Sequence, residues 1–277
     1  MSEIQDSIVE GCSAEWEICP CQRSWHIGSD IEYVSQHDDE YVIVAHRPSH
    51  YAAHIIVPNV VDGKQIVGIA NVAFFEAKAD ITGEAAVEGI EEIIIAEGIR
   101  FLDAGTFSFM SIQKVILPKS LQLIGDDCFS QSSIAKVVVP SGVKHIGKRC
   151  FEGCWNLTQL TILANIDVIE REMCASCGKL EIIDLPDSVR VISSYAFYGS
   201  GLRYLMLPQS TTAIDAYAFL NCKNLQSVSI PRKLCKIHDY SFDPPETNPS
   251  LVLFVYSGSQ GLMWARIHGY QIQNAEA

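Results

Sequence analysis

The chain has 277 residues, of which 48% are hydrophobic and only 19% charged, a composition typical of a packed protein and not of a disordered one. Its net charge of −13 is uneven, because residues 1–103 hold 19 acids against 5 bases and the rest is nearly balanced. The acidic end repels phosphate backbones, so nucleic acid is not an expected partner. No apolar run is long enough to span a bilayer, so membrane insertion is not expected. The acidic end either keeps the monomer soluble or serves in docking.

Residues 1–52 do not follow the repeat that fills the rest of the chain, and we interpret them as an N-terminal β cap. They contain two strand-like runs, residues 31–34 and 41–44, separated by the polar segment SQHDDE. This spacing predicts a β-hairpin between the two runs. A cap is needed because the first coil of a repeat array would otherwise expose a layer of its core.

Residues 53–250 repeat one frame of apolar residues. A strand of the form Leu-x-x-Ile-x-Ile ends at Pro, and a Val-x-x-Ile segment and an Ala-Phe pair follow. A first unit begins at Ile55 and is followed by an acidic insertion over residues 76–89. The later units begin every 22 or 23 residues, at Ile90, Ile112, Ile134, Leu157, Leu180, Leu202 and Leu225. Such a narrow period predicts a solenoid, a right-handed curved array of about eight coils with strand pairing unbroken from Ile90 to Ile230.

Residues 251–277 are predicted to form a C-terminal cap of one strand and one helix. Ser259 can cap a helix over residues 260–268, which Gly269 ends. Leu262, Ala265 and Ile267 are its expected inward side.

The frame L-x-x-I-x-I-P-x-x-V-x-x-I-x-x-x-A-F-x-x-C resembles the BspA-like leucine-rich repeat family over about residues 53–272. The end of the chain is similar as well, through Gly258-Ser259, Ala265 and Gly269-Tyr270. The resemblance implies a leucine-rich repeat solenoid, α/β or mainly β, that binds proteins or cell surfaces and brings no catalytic residues. The unit from Leu157 departs from the frame, with Leu163 in place of Pro and Met173-Cys174 in place of Ala-Phe.

The ten cysteines are weighed as metal ligands, disulfides or core residues. Cys12, Cys19 and Cys21 lie in the cap near His26 and His37, but the Cys-Pro-Cys spacing is tighter than in zinc folds, and a cap disulfide is the alternative. The histidines at 46, 50 and 54 are expected at loops and strand edges. Six further cysteines sit at repeat positions and are predicted to be buried, reduced thiols: Cys128, Cys150, Cys154, Cys174, Cys177 and Cys222. No cofactor or metal site is predicted, and no catalytic motif is present.

The outward positions of the strands indicate where a partner binds. The N-terminal half is predicted to present an apolar stripe with charged neighbours. Trp155 stands at a turn where other coils carry Ser, Gly or Lys, and exposed Trp is typical of interface anchors. The alternative is that the cap or the insertion covers Ile94 and Ile116. The predicted partner-binding residues are Ile94, Ile116, Val138, Lys114, Lys136, Trp155, Tyr204 and Met206.

The sequence therefore favours a non-enzymatic leucine-rich repeat module that engages another protein through its ladder face, with the chain monomeric on its own. The second hypothesis is a secreted or cell-surface adhesion protein that binds host protein or glycan. The acidic N-terminus is unlike an export signal, so the sequence as written predicts a cytoplasmic location, and a secreted or surface location if an export signal preceded it.

Overall fold

The computed structural model describes residues 16–20, 24–27, 31–34, 40–46, 53–71, 73–74 and 90–276. The described residues form a mostly β solenoid of about nine turns with one helix near the C-terminus. The predicted insertion over residues 76–89 lies outside the described residues. The boundary between the N-terminal cap and the solenoid, near residue 52, also stays a prediction.

Among the described residues, four strands precede the solenoid. They are β1 (Trp16–Pro20), β2 (Ser24–Ile27), β3 (Ile31–Val34) and β4 (Glu40–His46). The predicted hairpin between β3 and β4 is wrong: β3 pairs with β2, and β4 pairs antiparallel with β1. The reason is that β4 has no free edge for β3, because its other side pairs in parallel with a strand of the first coil.

Each coil contributes short strands. In chain order they are β5 (His54–Val57), β6 (Val60–Val61), β7 (Lys64–Ile69), β8 (Glu92–Ile95), β9 (Phe101–Leu102), β10 (Lys114–Ile116), β11 (Leu123–Ile124), β12 (Lys136–Val139), β13 (His145–Ile146), β14 (Gln159–Ile162), β15 (Val168–Ile169), β16 (Val191–Ile192), β17 (Tyr204–Met206), β18 (Ala213–Ile214), β19 (Ser227–Ser229) and β20 (Lys236–Ile237).

The strands pair from coil to coil into two parallel ladders. The first ladder, called the ladder face, contains β5, β8, β10, β12 and β14 and resumes with β17 and β19. The second runs through β7, β9, β11 and β13, then through β15, β16, β18 and β20. The cap strand β4 extends this second ladder beside β7, and its buried Glu40 forms an ion pair with Arg100 of the next coil.

The floor of the coils is a column of buried phenylalanines. Neighbouring rings from Phe74 through Phe107 and Phe129 to Phe151 lie 5.2–5.4 Å apart between centroids. A second run continues at 5.4 and 5.0 Å from Phe197 to Phe242. Cys174 stands between the two runs, in the position that Phe occupies elsewhere. The column explains the Ala-Phe pair of the repeat, since each ring packs on the ring of the next coil.

The prediction of unbroken strand pairing from Ile90 to Ile230 is wrong in one region. In the ladder face, β14 is followed only by a single bridge from Thr161 to Asp184, and regular pairing resumes at β17. The second ladder is interrupted between β13 and β15. The coils remain joined there, for example by the Arg203 N–H, which donates to the Glu181 carbonyl at 2.9 Å.

The interruption coincides with the coil from Leu157, whose turn differs from the repeat. In a regular coil Pro140 is buried and Ser141 is exposed. In the coil from Leu157 the order is reversed, because Leu163 is exposed and Ala164 is buried. The register itself is kept, because β14 pairs with all of β12 and Thr161, which lies opposite Val138, also forms the bridge to Asp184.

The C-terminal cap contains β21 (Val252–Val255), α1 (Gln260–Ile267) and β22 (Gln271–Asn274). The helix begins as predicted, since the Ser259 hydroxyl accepts the Leu262 N–H at 3.1 Å. The expectation that Ile267 faces inward is wrong: Ala265 is buried, but Ile267 is 76% exposed. Strand β22, which the sequence did not predict, pairs in parallel with β21 and extends the ladder.

Candidate functional site

The ladder face presents an apolar stripe in its N-terminal half. Side chains alternate along each strand, so Ile93 and Ile95 of β8 are buried while Ile94 between them is partly exposed. On the next two strands Ile116 is 40% and Val138 is 51% exposed. Parallel pairing of β8 with β10 and of β10 with β12 places these side chains side by side on successive coils. The stripe, defined as Ile56, Ile94, Ile116 and Val138, therefore lies at the surface.

A charged column runs beside the stripe, two residues earlier on each strand. The carboxylate of Glu92 accepts a hydrogen bond from the Lys114 ammonium, and His54 Nδ1 lies 3.6 Å from its other oxygen. The hydrogen bond from Lys114 lowers the pKa of Glu92. The next residue in the column, Lys136, is exposed and has no ion-pair partner in the part of the chain that the structure describes. The column therefore offers an unmatched positive charge beside exposed aliphatic side chains.

A polar band separates this stripe from a second apolar patch. Gln159, Thr161 and Asp184 occupy the outward positions of the two coils at the interruption. Beyond them Ile182 is 60%, Tyr204 is 52% and Met206 is 79% exposed, and these three residues define the second patch. The Tyr204 hydroxyl donates to Gln226 Oε1 at 2.9 Å, which holds its ring over the ladder.

The predicted site residues are thus not one cluster. The structure brings Ile94, Ile116, Val138, Lys114 and Lys136 together on β8, β10 and β12. Tyr204 and Met206 lie on β17, beyond the polar band. Trp155 lies on no strand: it is 49% exposed in the turn that precedes β14.

One exposed residue of the second patch was not among the predicted binding residues. Ile182 is an aliphatic side chain at an outward strand position, and that pattern is the signal that could have identified it. Its strand is reduced to one bridge in the structure.

Another column of turn residues has its own internal partners. Arg149 donates to both carboxylate oxygens of Asp127 at 2.8 Å, and this bidentate hydrogen bond raises the pKa of Arg149. Further along the column Tyr195, Tyr217 and Tyr240 stack, with centroid distances of 4.8 and 5.8 Å. Because these side chains satisfy one another, the column is a weaker candidate for binding than the ladder face.

The cysteines at repeat positions are buried thiols. None of the six that the sequence placed in the core forms a disulfide, whereas Cys235 is an exposed thiol. Burial raises the pKa of the Cys150 thiol and raises that of Cys222 to about 12, so both remain protonated and unreactive at neutral pH. Hydrogen bonding to Cys174 and burial raise the pKa of Cys177.

Within the described residues no group of three or more His, Cys, Asp or Glu side chains could hold a metal ion. Cys12, Cys21, His37 and His50 lie outside the described residues, and the side chains of Cys19, His26 and His46 are not described. Among the described segments no helix is long and apolar enough to cross a membrane.

Comparison with known proteins agrees with the coil geometry. The model of the BspA type leucine rich repeat region matches six copies, over residues 86–203 and 190–248. The chain belongs to the BspA-type leucine-rich repeat family. No curated protein matches it.

Among solved structures, this BspA-type chain is similar to a leucine-rich repeat protein from Eubacterium ventriosum, with a TM-score of 0.52 and 20% identity. That alignment covers 68% of the chain and 57% of the Eubacterium protein. A leucine-rich repeat protein from Bacteroides ovatus aligns over 86% of the chain and 80% of its own length, with 17% identity and a TM-score of 0.41. The pneumococcal vaccine antigen PcpA aligns over 93% and 98%, with 14% identity and a TM-score of 0.41. At these identities the comparison with the Eubacterium protein shows the fold alone.

Proposed function

We propose that this BspA-type chain is a non-enzymatic binding module that engages a protein partner through the N-terminal half of its ladder face. The observation that carries the proposal is the exposed pair Ile116 and Val138 on adjacent strands. Exposed aliphatic side chains in a row, bordered by charge, are typical of a protein contact site. The flat, paired strands hold them rigidly, so binding orders few additional groups.

The charged column indicates which charges a complementary partner surface would carry. Lys136 carries an unmatched positive charge, whereas Lys114 is already paired with Glu92. A partner with an acidic group opposite Lys136 and an apolar centre opposite Val138 fits this surface best. Charges at the border steer association, and the apolar centre supplies affinity.

The proposal is tested with the double substitution Ile116→Asp and Val138→Asp. Both side chains point outward, so the thermal midpoint should stay within a few degrees of wild type while partner binding is lost. The matched control is Met263→Asp with Ile267→Asp, which changes two residues that are 65% and 76% exposed on α1, away from the ladder face. Affinity capture followed by mass spectrometry is performed with all three proteins.

Each outcome of this comparison is informative. A protein captured by wild type and by the control, but not by the ladder variant, supports the proposal. Equal capture by all three proteins places the site elsewhere. Unfolding of the ladder variant alone means that Ile116 and Val138 belong to the core.

The alternative function is adhesion outside the cell, with host protein or glycan as the ligand. A polar groove beside the ladder face favours a glycan. Fractionation of the native cells decides the location, since export and surface exposure select adhesion and retention in the cytoplasm excludes it.

A further inference from the structure

A polar groove runs beside the ladder face, along the turns that lead into the strands. It has a volume of about 560 Å³, within the range of small-ligand sites. Five successive coils contribute to it, so at one strand spacing per coil it is about 19 Å long. The groove is lined by Ile90, Glu91, Ser111, Gln113, Ser133, Ala135, Asn156, Thr158 and Lys179.

Five of the nine lining residues carry neutral hydrogen-bonding side chains: Ser111, Gln113, Ser133, Asn156 and Thr158. Lys179 Nζ donates to Asn156 Oδ1 at 2.7 Å, and the Ser133 hydroxyl donates to the Ile112 carbonyl at 3.0 Å. Their oxygens retain lone pairs that can accept from a ligand. The amide of Gln113 has no side-chain partner in the described part of the chain. Ala135 has the smallest side chain in the lining and leaves the middle of the groove open.

The charges of the lining are balanced and far apart. Glu91 belongs to the first of the five coils and Lys179 to the last. A groove with one charge of each sign at opposite ends does not select a polyanion, which needs a row of cations. It suits a neutral ligand with many hydroxyl groups.

Trp155 is not itself a lining residue, but it directly precedes Asn156, which lines the groove. It occupies the extra position of a 23-residue coil. The matching residue of the next coil is Gly178, where an added Cβ would meet nothing within 4 Å. None of the described aromatic rings pairs with the indole, although the side chain is 49% exposed. An open indole of this kind is free to stack on a ligand.

Stacking and hydrogen bonding together are the requirements of sugar recognition. A pyranose ring has an apolar C–H face that packs on an aromatic ring, and its hydroxyls bond to amide and hydroxyl side chains. We propose that this groove binds a neutral linear oligosaccharide, with one pyranose stacked on Trp155 and bonded to Asn156 and Thr158 of the same coil, and a further one bonded to Gln113 two coils away. The spacing of successive pyranoses along an extended glycan is similar to the spacing of successive coils along the solenoid. Each sugar can therefore lie opposite one coil.

An extended peptide fits the groove less well. A peptide that adds to a sheet needs a free strand edge, whereas β10 and β12 are each paired on both sides. Side-chain pockets are also lacking, since the apolar lining residues are only Ile90, which is buried, and Ala135.

This inference gives the glycan alternative a definite site, separate from the strands on which the protein-binding proposal rests. The two can fail independently. The variant Ile116→Asp with Val138→Asp should bind oligosaccharide like wild type. Substitutions at Trp155 should leave the capture of a ladder-face partner unchanged.

The test measures binding of five hexasaccharides by isothermal titration calorimetry: cellohexaose, chitohexaose, laminarihexaose, mannohexaose and maltohexaose. At least one should bind with a Kd of about 1 mM or tighter, the range in which calorimetry gives a signal. Trp155→Ala should weaken that binding about tenfold, the worth of one aromatic stacking contact. Trp155→Phe should recover part of it, and Ala135→Phe should abolish it by filling the groove.

Controls distinguish sugar binding in the groove from nonspecific binding and from loss of binding through unfolding. Tyr240→Ala removes another exposed aromatic, in the tyrosine column, and should leave the affinity unchanged. Circular dichroism should show all variants folded. The inference is overturned if none of the five sugars binds, or if Trp155→Ala binds as well as wild type. It is also overturned if only a heparin hexasaccharide or a decapeptide library binds through Trp155, because the occupant is then a polyanion or a peptide.

Discussion

The pair Met173-Cys174 provides a sharp test of how the coils pack. In the neighbouring coils the same two positions hold Cys150-Phe151 and Ala196-Phe197, and all six side chains are fully buried. The irregular coil therefore has a larger residue at the small position and a smaller one at the large position. The two exchanges compensate each other in volume, which is how cores tolerate substitution.

The expected free energies follow from this exchange. Met173→Ala removes three heavy atoms from a fully buried site, so unfolding should become easier by about 2–5 kcal/mol. Cys174→Phe inserts a ring beside the retained Met173 and should cost about 1–3 kcal/mol by overpacking. The double variant restores Ala-Phe and places a ring between Phe151 and Phe197, where neighbouring rings elsewhere are 5.0–5.4 Å apart. Its stability should lie within about 1 kcal/mol of wild type.

Urea denaturation of the four proteins measures the coupling. The double variant should be more stable than the sum of the single effects by about 2 kcal/mol or more. The control combines Met173→Ala with Val61→Ala, another buried residue, which lies four coils and about 19 Å away. These two effects should add within about 0.5 kcal/mol. Additivity of Met173→Ala and Cys174→Phe would refute the idea that the two positions share one packing volume.

Two further predictions concern the thiols and the glycines. With Cys12, Cys19 and Cys21 changed to Ser, the native protein should show one thiol reactive towards Ellman's reagent, Cys235, and denaturation without reductant should release six more; fewer than seven would mean that disulfides form in the coils. Gly147→Ala should destabilise by roughly 1–3 kcal/mol, because its Cβ would lie 2.4 Å from the Asp126 backbone nitrogen. Gly178→Ala, where nothing lies within 4 Å, should be neutral or stabilising by up to about 1 kcal/mol in thermal or urea unfolding, and equal losses at both glycines would contradict this account of the turns.

Much of the fold could be predicted from the sequence because each coil repeats the same pattern of inward and outward residues. Inward positions two apart on a strand predicted that Val137 and Val139 are buried with Val138 between them exposed, and the structure has this pattern. The same reasoning failed for Ile267, because a helix turns by about 100° per residue, and the packing of Ala265 and Trp264 decides which side faces the core.

The candidate site was less predictable than the coils. The outward residues could be read from alternation, including the polar Thr161 and Asp184 that separate β8, β10 and β12 from Tyr204 and Met206. The interruption of the ladder at that place could not, because it depends on how one coil pairs with the next. The polar groove was also not predicted, because it is formed by residues of five coils that come together only in the folded solenoid.

The sequence by itself determined the repeat, the length of each coil, the buried phenylalanine column and the residues that point outward. Those features depend on periodicity, and a strand of period two leaves no choice about which side chains share a face. Only the tertiary structure decided the partners of the cap strands, the interruption of the ladders and the groove beside the ladder face. Strand β4 pairs with β1 and β7 because each of its edges needs hydrogen-bond partners. Contacts of that kind join residues far apart in the chain, and no local pattern of amino acids specifies them.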